Sequence, residues 1–476
     1  MRQTNFALAL LAAAVLSACG GGDGTSASEQ QLKTQFSAMV SFGDSLSDVG
    51  TYNVGTVKAS GGGKFTINGN NTTVNPTLTG KNWTELMATQ FGLAAPCAAQ
   101  TGLEGSAALG LSVPIVNNAN CFSYAQGGAR VSNPIGPENK ALGSVLGMLT
   151  VPVSTQIDNH LAKTAGKFSG TEVVFVTVGG NDALMLLGQL KAGATAAGQA
   201  AGAAEGAKVG NQVFMTTLVG LLAQGATDPQ AAAAAIGTAA GTAAAQPGAT
   251  PESIVAAAVG AAAIQPGNAA VGQPTVYGPM VVTAKKAGAD AGAAAGAIAG
   301  AKAGADYAAA QAPVLVTAMG TAGAELAGIV KAKIVAKGAN YVVVNNLPDL
   351  GGSPAGKAQD ANTQALINAM VGAFNSQLSA GVASEAKILY VDLFSTSHDQ
   401  IINPGPYGLT NTTTAACSSD ASRNFLKGAS LACNGSNLIA GDVSHFMFAD
   451  DTLPTPYENT LIAKYVAERM IVKGWL

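Results

Sequence analysis

Charged side chains are scarce in this sequence, and so are aromatic rings. Charged residues make up 11% of the 476 residues, aromatic residues make up 5%, and the formal net charge is −3. A chain with so few basic groups has no electrostatic footprint for nucleic acid, so we expect no nucleic-acid partner. Alanine supplies much of the 48% hydrophobic fraction, which therefore overstates the core. The length allows up to about three domains.

Histidine and cysteine are also few, and this limits the chemistry available to the chain. The histidines are His160, His398 and His445, and the cysteines are Cys19, Cys97, Cys121, Cys417 and Cys433. The cysteines have no zinc-binding spacing, and no histidine stands close to them in sequence. We therefore predict no metal site and no cofactor.

The first 19 residues have the pattern of an export signal. Their apolar core, residues 6–15, is too short to span a bilayer, and Leu16-Ser17-Ala18-Cys19 after it resembles a bacterial lipobox. The resemblance implies a lipidated Cys19 at the mature N-terminus, with residues 20–35 as a flexible tether. The protein is then predicted to be exported to the cell envelope and anchored to the outer membrane. An ordinary secretory signal cleaved after Ala18 is the alternative.

Export would place the remaining four cysteines in an oxidising compartment, where three pairings are possible. Neighbours in sequence are the favoured partners because each pair brackets a polar, loop-like stretch that a bridge would hold. We predict the disulfides Cys97–Cys121 and Cys417–Cys433.

Five short apolar runs have the composition of strands buried on both faces of a parallel sheet. They are residues 37–42, 122–125, 172–178, 339–345 and 388–393. Helical patterns alternate with them over residues 82–91, 156–165, 362–382 and 457–472. This alternation predicts an α/β fold, a three-layer α/β/α sandwich around a mostly parallel sheet.

The predicted sandwich is divided into two parts, residues 36–190 and 338–476, by an insertion rich in alanine and glycine. In this insertion, residues 191–337, a glycine recurs every four residues from Gly288 to Gly304. On a helix that spacing makes one smooth stripe, where another backbone can approach closely. Prolines near the middle, from Pro247 to Pro279, predict at least two helices that leave the sheet and return. No predominantly apolar run reaches bilayer length without a polar or proline interruption. The insertion has three alternative roles at this point: a cap over the active site, an arm that faces a membrane or a partner, or a spacer without chemistry.

The stretch Phe42-Gly43-Asp44-Ser45-Leu46-Ser47-Asp48 follows the first predicted strand. A serine there lies at the carboxyl edge of a parallel sheet, where ligands bind. Backbone amides of a helix after it could stabilise an oxyanion formed by attack of Ser45. On its own, the motif favours a plain loop serine with an Asx-type turn at Asp44 or Asp48.

Further motifs follow in order along the chain. They are Tyr124-Ala125-Gln126-Gly127-Gly128-Ala129-Arg130, Val178-Gly179-Gly180-Asn181-Asp182, Asn346-Leu347-Pro348-Asp349-Leu350-Gly351 and 403–411. With the Ser45 motif, these blocks resemble the GDSL (SGNH) family of esterases and lipases. The resemblance implies an SGNH-like sandwich and no cofactor. It further implies that Ser45 is the nucleophile and that the amides of Ser45 and Gly128, with the side chain of Asn181, bind the oxyanion.

The last family block is altered. The family has an aspartate followed three residues later by histidine, and here Asp450 keeps its place while Leu453 stands where the histidine belongs. His445, just before this block, is the named candidate for the base together with Asp450. His398 follows a predicted strand end and is a second candidate, and His160 is a third.

The expected function is therefore hydrolysis of a carboxylic ester or lipid through an acyl-enzyme on Ser45, weakened by the loss of the usual histidine. The alternative is an impaired surface lipoprotein that binds an ester, lipid or glycan without turnover.

Overall fold

A computed structural model describes residues 34–69 and 80–476. The export signal, Cys19 and almost all of the predicted tether lie outside the described residues. Within these ranges the chain forms six strands, β1 (Met39–Gly43), β2 (Gln100–Glu104), β3 (Ser112–Asn117), β4 (Val173–Thr177), β5 (Tyr341–Asn345) and β6 (Ile388–Val391). It also forms the helices α1 (Gly55–Ala59), α2 (Trp83–Gln90), α3 (Val153–Lys163), α4 (Gly180–Ala223), α5 (Pro229–Ala244), α6 (Pro251–Ala263), α7 (Pro274–Ile329), α8 (Pro354–Lys357), α9 (Ala361–Val382), α10 (Leu393–Ile402) and α11 (Pro456–Lys473).

Four of these strands form one parallel sheet in the order β1-β4-β5-β6, which confirms the predicted α/β class. The register pairs Gly43 with Thr177 and Val344 with Tyr390. All five residues of β4 are buried, as expected for a strand covered on both faces. Crossovers between the strands contain helices, so the four carboxyl ends meet at one edge of the sheet.

Residues 122–126 take the place of the fifth predicted strand, beside β1, without forming a continuous ladder. Ser41 donates its amide hydrogen to the carbonyl of Phe122 (3.2 Å), and Tyr124 donates to the carbonyl of Ser41 (2.7 Å). Gln126 donates to the carbonyl of Gly43 (3.0 Å). This run therefore carries the second motif to the same edge of the sheet as Ser45.

Helices cover both faces of the sheet, and alternate residues of β5 show how. Val342 and Val344 pack in one core with Met370 and Phe374 of α9. Val343, which points to the other face, lies in a second core. Trp83 of α2 and Val466 of α11 belong to that second core. The alternation along a strand thus places one apolar layer on each side of the sheet.

The insertion is a long helical arm. Its helices α4 and α7 contain 44 and 56 residues, so at 1.5 Å per residue they extend about 66 and 84 Å. They run side by side, with the shorter α5 and α6 packed at the far end in a core of their own. The insertion thus leaves the sheet after β4 and returns just before β5.

Glycines face each other where α4 and α7 meet. The facing pairs are Gly198 with Gly300, Gly202 with Gly296, Gly206 with Gly292 and Gly210 with Gly288. A Cβ atom placed on Gly296 would lie 2.6 Å from the carbonyl oxygen of Gly202. The predicted stripe on α7 therefore packs against a matching stripe on α4, and side chains larger than hydrogen would separate the helices.

The helical segment from Pro274 to Lys337 is, in length and composition, apolar enough to cross a membrane, and 39% of its most apolar window is buried in the protein. The expectation that Pro279 breaks the insertion is wrong, because Pro279 lies inside α7, as does Pro313. A proline removes one backbone hydrogen bond, and the long contact with α4 holds the helix together across that gap.

Both predicted disulfides are present. Cys97 pairs with Cys121 and Cys417 pairs with Cys433, with Cα–Cα distances of 5.0 and 5.9 Å. The first bridge encloses the antiparallel pair of β2 and β3, where the sequence indicated only a loop. Five of the six residues of β3 are exposed, so it lacks the apolar alternation by which strands are recognised.

Candidate active site

Ser45 occupies the turn that follows β1, at the carboxyl edge of the sheet. Gly43 before it has a φ of +155°, and a Cβ atom there would lie 2.3 Å from the carbonyl oxygen of Thr177 on β4. Gln156 of α3 holds the Gly43 peptide from both sides, because its Oε1 accepts from the Gly43 amide and its Nε2 donates to the Gly43 carbonyl, both at 2.8 Å. The sequence analysis missed Gln156 because it lies 113 residues away along the chain.

Two buried carboxyl groups surround the serine. Asp44 Oδ1 accepts from the amide of Leu46 at 3.1 Å. Asp48 accepts from Gly50 (2.8 Å) and Thr51 (2.7 Å) with Oδ1, and from Gly127 (2.9 Å) with Oδ2. Burial raises the pKa of Asp44 to about 7 and the pKa of Asp48 to about 6. Asp48 therefore ties the Ser45 motif to the second motif.

The helix expected directly after Ser45 is absent from this part of the described chain. Residues 45–47 form a turn, and α1 begins only at Gly55. The first amides of a helix are thus not available here, and the amide of Ser45 itself is the donor that remains.

The amides of Ser45 and Gly128 both lack an acceptor among the described residues. Gly128 is buried and has a φ of +80°, and a Cβ atom on it would lie 2.6 Å from Cγ2 of Thr150. A glycine is therefore required by both the backbone conformation and the space. Donors left unpaired in a buried turn are the groups that an oxyanion would satisfy.

Asn181 lies at the start of α4, and its side chain faces the second motif. Its Nδ2 donates to the carbonyl of Ala129 at 2.8 Å, which leaves one of its two amide hydrogens for another acceptor. Asp182 fixes the same contact by accepting from Arg130 Nε (2.9 Å) and from the amide of Val131 (3.1 Å). Burial raises the pKa of Asp182, and the Arg130 guanidinium partly offsets this. The three motifs predicted to act together are thus linked by hydrogen bonds.

The carboxylate of Asp450 organises its own loop. Oδ1 accepts from the amides of Thr452 (3.0 Å) and Leu453 (2.8 Å), and Oδ2 accepts from the amide of Ser430 (2.9 Å). In the described chain neither oxygen bonds to an imidazole. The predicted pairing of Asp450 with His445 therefore does not occur in this structure, because both oxygens already bind backbone donors.

His445 has polar and aromatic neighbours of its own. Its Nδ1 lies 2.9 Å from Ser444 Oγ, and its ring centroid lies 4.4 Å from that of Tyr457. A hydroxyl can accept or donate, so it does not select one tautomer of the ring as a carboxylate does. Nothing in these contacts orients His445 as a base.

His398 is bonded to a carboxylate. Its Nδ1 donates to Asp349 Oδ2 at 2.7 Å, while its ring stacks on Phe394. Asp349 is nearly buried, with 7% of its side chain exposed, whereas His398 is half exposed at 51%. The loop of Asp349 is held by the amide of Gly352, which donates to Oδ1, and by Ser397 Oγ, which accepts from the Asp349 amide. This is the single imidazole–carboxylate hydrogen bond in the described chain.

Sequence reasoning named His398 but missed Asp349 as its partner. One signal for the pairing was available, because both residues come shortly after strands of the same sheet. Asp349 follows β5, and His398 lies in α10, which follows β6. Both elements leave the same edge of the sheet as the Ser45 turn. Neither residue is close to the other in sequence, so only the fold brings them into contact.

A small cavity of about 50 Å³ joins these loops. Leu46, next to Ser45, lines it, and so do Pro348 and Ser397, the neighbours of Asp349 and His398. Thr452 and Pro454, on either side of Leu453, line it as well. Ser45, Asp349, His398 and Leu453 themselves do not line this cavity, although their loops border it.

Glu458 of α11 borders the same cavity. Its side chain is buried, and its Oε2 has no partner among the described residues. Burial raises the pKa of Glu458 to about 8, which keeps the group neutral at pH 7. No sequence pattern marked this residue, because glutamate is mostly exposed in folded proteins.

Comparison with known proteins adds no assignment. Neither a scan against protein-family models nor a search of curated proteins finds a match to this chain. Its function is therefore inferred from the motifs and from the geometry of the site.

Proposed function

We propose that this protein is a serine hydrolase of carboxylic esters, with an SGNH-like α/β/α sandwich, that forms an acyl-enzyme on Ser45. The observation that carries the proposal is that the amides of Ser45 and Gly128 are both unpaired among the described residues, on two motifs that hydrogen bonds join at the carboxyl edge of the sheet. Backbone donors held in this way stabilise negative charge that develops during acyl transfer.

In the proposed reaction Ser45 Oγ attacks the ester carbonyl and its proton passes to a base. The carbonyl oxygen becomes an oxyanion that accepts hydrogen bonds from the amides of Ser45 and Gly128. The second hydrogen of Asn181 Nδ2 would be the third donor, since the first is bonded to Ala129. Collapse of the intermediate expels the alcohol, which takes up the proton, and water then releases the acid.

For the base we propose His398 in place of His445. Its Nδ1 is held by Asp349, so Nε2 is the nitrogen that carries a lone pair and can accept a proton. A carboxylate in this position also stabilises the imidazolium that forms. Support comes from the sheet topology, because Asp349 follows β5, His398 lies in the helix after β6, and both leave the edge of the sheet that carries the Ser45 turn.

The substrate would be an ester or a lipid, presented at a membrane to which Cys19 anchors the chain. This part of the proposal rests on the lipobox-like run from Leu16 to Cys19. Mass spectrometry of the mature N-terminus tests it. A lipidated Cys19 is expected, and an unmodified residue there, or an unchanged location after Cys19→Ser, would contradict it.

The decisive experiment compares hydrolysis of p-nitrophenyl butyrate by the wild type and three single variants. Ser45→Ala and His398→Ala are expected to lose most of the activity, by about 10³-fold or more, as removal of a nucleophile or base does elsewhere. His445→Ala is the matched control, because it removes a partly buried imidazole that no carboxylate orients.

Two results would change the conclusion. If His445→Ala is inactive and His398→Ala is not, the base is His445. If Ser45→Ala changes nothing, the protein is not a serine hydrolase. The alternative is then a lipoprotein that binds an ester, lipid or glycan without turnover, which the presence of Leu453 in place of histidine favours.

A further inference from the structure

Two buried side-chain amides bind the backbone of two loops at the carboxyl edge of the sheet, and they do so in the same way. Gln156 of α3 makes a bidentate contact with Gly43, because its Oε1 accepts from the Gly43 amide and its Nε2 donates to the Gly43 carbonyl. Asn375 of α9 makes the same contact with Leu347, at 2.9 Å for both hydrogen bonds. Both side chains are buried. Each helix thus holds one loop through a single side chain.

The two residues that are held have corresponding places relative to the proposed catalytic groups. Gly43 ends β1 and lies two positions before Ser45. Leu347 follows β5 and lies two positions before Asp349, the partner of His398. The helices α3 and α9 pack in one apolar core, so both contacts come from the same face of the sheet. The loop of the nucleophile and the loop that orients the base are therefore fixed from one layer of helices.

The Gln156 contact also extends to the second motif. Nε2 of Gln156 donates to the carbonyl of Val151 (2.8 Å), and the Val151 amide donates to Oε1 of Gln126 (3.1 Å). The Gln126 amide donates in turn to the Gly43 carbonyl (3.0 Å). Gly128, whose amide is a proposed oxyanion donor, lies two positions after Gln126. This closed set of hydrogen bonds links the two loops that carry the proposed oxyanion donors.

A carboxamide is suited to such a contact because it offers one donor and one acceptor side by side without a charge. An apolar side chain at either position would leave a buried backbone amide and carbonyl with fewer partners, and the loop would have to move to satisfy them. A carboxylate would accept from the amide but would turn a second acceptor toward the carbonyl oxygen. The identity of these two side chains therefore decides where the loops stand.

We propose that Gln156 and Asn375 are positioning residues that hold the nucleophile and the base of the proposed reaction in the correct geometry relative to each other. The inference rests on the proposed function, because it concerns the geometry between Ser45 and His398. Neither side-chain amide bonds to these two residues in the described chain, so each acts through the loop that it holds. A displacement of about 1 Å in a catalytic group lowers a rate by about 100-fold, so a small movement of either loop is sufficient.

The first test removes each amide and keeps the bulk of the side chain, with Gln156→Met and Asn375→Leu. For p-nitrophenyl butyrate each variant is expected to lower kcat about 100-fold and to leave KM within about twofold of the wild type, because the reacting groups move while the substrate surface stays in place. Circular dichroism verifies that each variant is folded. A loss that appeared mainly in KM would contradict a positioning role.

The second test, Gln156→Glu, changes the contact with pH. A protonated carboxyl group has one donor and one acceptor and replaces the amide, whereas the ionised group does not. Relative to the wild type at the same pH, kcat is expected to be nearly unchanged at about pH 5 and about 100-fold lower at about pH 9, because buried glutamates ionise as late as about pH 8 to 9. This comparison decides even if an apolar variant does not fold.

The titratable groups around Gln156 are the same in both proteins, so the comparison removes their own titration. Asp44, at the end of β1, has its pKa raised by burial to about 7. His160, one turn after Gln156 on α3, is buried, and burial lowers its pKa to about 4. Lys333, from the segment after α7, forms an ion pair with Asp158 of α3 (2.7 Å).

The matched control is Asn268→Asp in the arm. Asn268 is a buried amide whose Nδ2 donates to the carbonyls of Leu222 (2.8 Å) and Ala262 (2.9 Å), so it undergoes the same chemical exchange away from the sheet. Its kcat is expected to equal that of the wild type at each pH.

The outcomes separate this inference from the proposed function. Wild-type kcat in Gln156→Met or in Asn375→Leu, or a Gln156→Glu rate that follows the wild type at every pH, would overturn the positioning role and leave the proposed function intact. A wild type no faster than Ser45→Ala would overturn both.

Discussion

Asp349 Oδ2 lies 2.7 Å from His398 Nδ1, although the two residues are 49 positions apart in the chain. One follows β5 and the other lies in the helix after β6, so the parallel order of the two strands brings them together. The arrangement supplies a histidine with a fixed tautomer in a chain whose last family-like block has lost its own.

Asp349→Asn is expected to lower the rate of ester hydrolysis by about 10²- to 10⁴-fold with little change in KM. The amide would present a donor or a weaker acceptor to His398 and would no longer stabilise its protonated form. Steady-state kinetics on p-nitrophenyl butyrate measure the effect. Asp450→Asn is the control, since its carboxylate binds only backbone amides, and equal losses in both variants would refute the role of Asp349.

Leu453→His, made in the His398→Ala background, is expected to restore part of the lost hydrolysis. Thr452 and Pro454, on either side of position 453, line the cavity that Leu46 also lines, so the new imidazole would stand in a loop that borders the serine turn. Recovery should stay well below the wild-type rate, because Asp450 already binds the Leu453 amide and orients no ring. The rate of ester hydrolysis by His398→Ala with imidazole added to the solution is the reference for this recovery. A double variant no faster than the single one would show that Leu453 does not face Ser45.

Glu458 is expected to lower the free energy of unfolding as pH rises from about 4.5 to about 8. Glu458 has a folded pKa of about 8 against 4.5 for an exposed glutamate, so in this window the folded chain holds a proton that the unfolded chain has released. At about 1.4 kcal/mol per pH unit, the free energy of unfolding lost through this residue approaches 4 to 5 kcal/mol at pH 8. Below pH 4.5 nothing is lost, because the folded and unfolded chains both hold the proton.

Glu458→Gln should remove that share of the pH dependence and make the protein more stable than the wild type at pH 8. Urea unfolding followed by the fluorescence of Trp83 and Trp475, both in the α/β core, measures it. Asp44 and Asp48, whose pKa values are also raised by burial, act equally in both proteins, so the difference isolates Glu458. Parallel stability curves for the two proteins would contradict the assignment.

Gly296→Ala is expected to destabilise the arm, whereas Gly328→Ala on the same helix should stabilise it slightly. Both changes raise helix propensity by about 1 kcal/mol. A Cβ atom at position 296 meets the Gly202 carbonyl oxygen at 2.6 Å, whereas one at position 328 meets no atom within 4 Å among the described residues. Thermal melts followed by far-UV circular dichroism compare them. A gain in stability for both variants would show that α4 and α7 are not closely packed in solution.

Local patterns were sufficient to predict the central architecture. Apolar runs such as Val342-Val343-Val344 predicted strands, and the four-residue glycine spacing predicted a helix face for close packing. Each of these patterns is local, because it is formed by residues that are close together in the sequence. The disulfide partners also followed from short separations, 24 and 16 residues. The candidates for the oxyanion donors came from the family resemblance, and each of them comes directly after a strand or a strand-like run.

Contacts between distant residues could not be predicted in this way. The strands β2 and β3 are mostly polar or exposed and have no apolar period, and Pro279 ends no helix because α4 supports α7. The pairing of His398 with Asp349, the binding of both Asp450 oxygens to backbone amides, and the burial of Glu458 each depend on loops from separate strands. The sequence alone determined the four strands of the parallel sheet, the helices that cover it and the serine turn, because backbone preference and apolar periodicity are local. Only the tertiary structure decided which carboxylate orients which histidine, since that depends on which loop ends the sheet brings side by side.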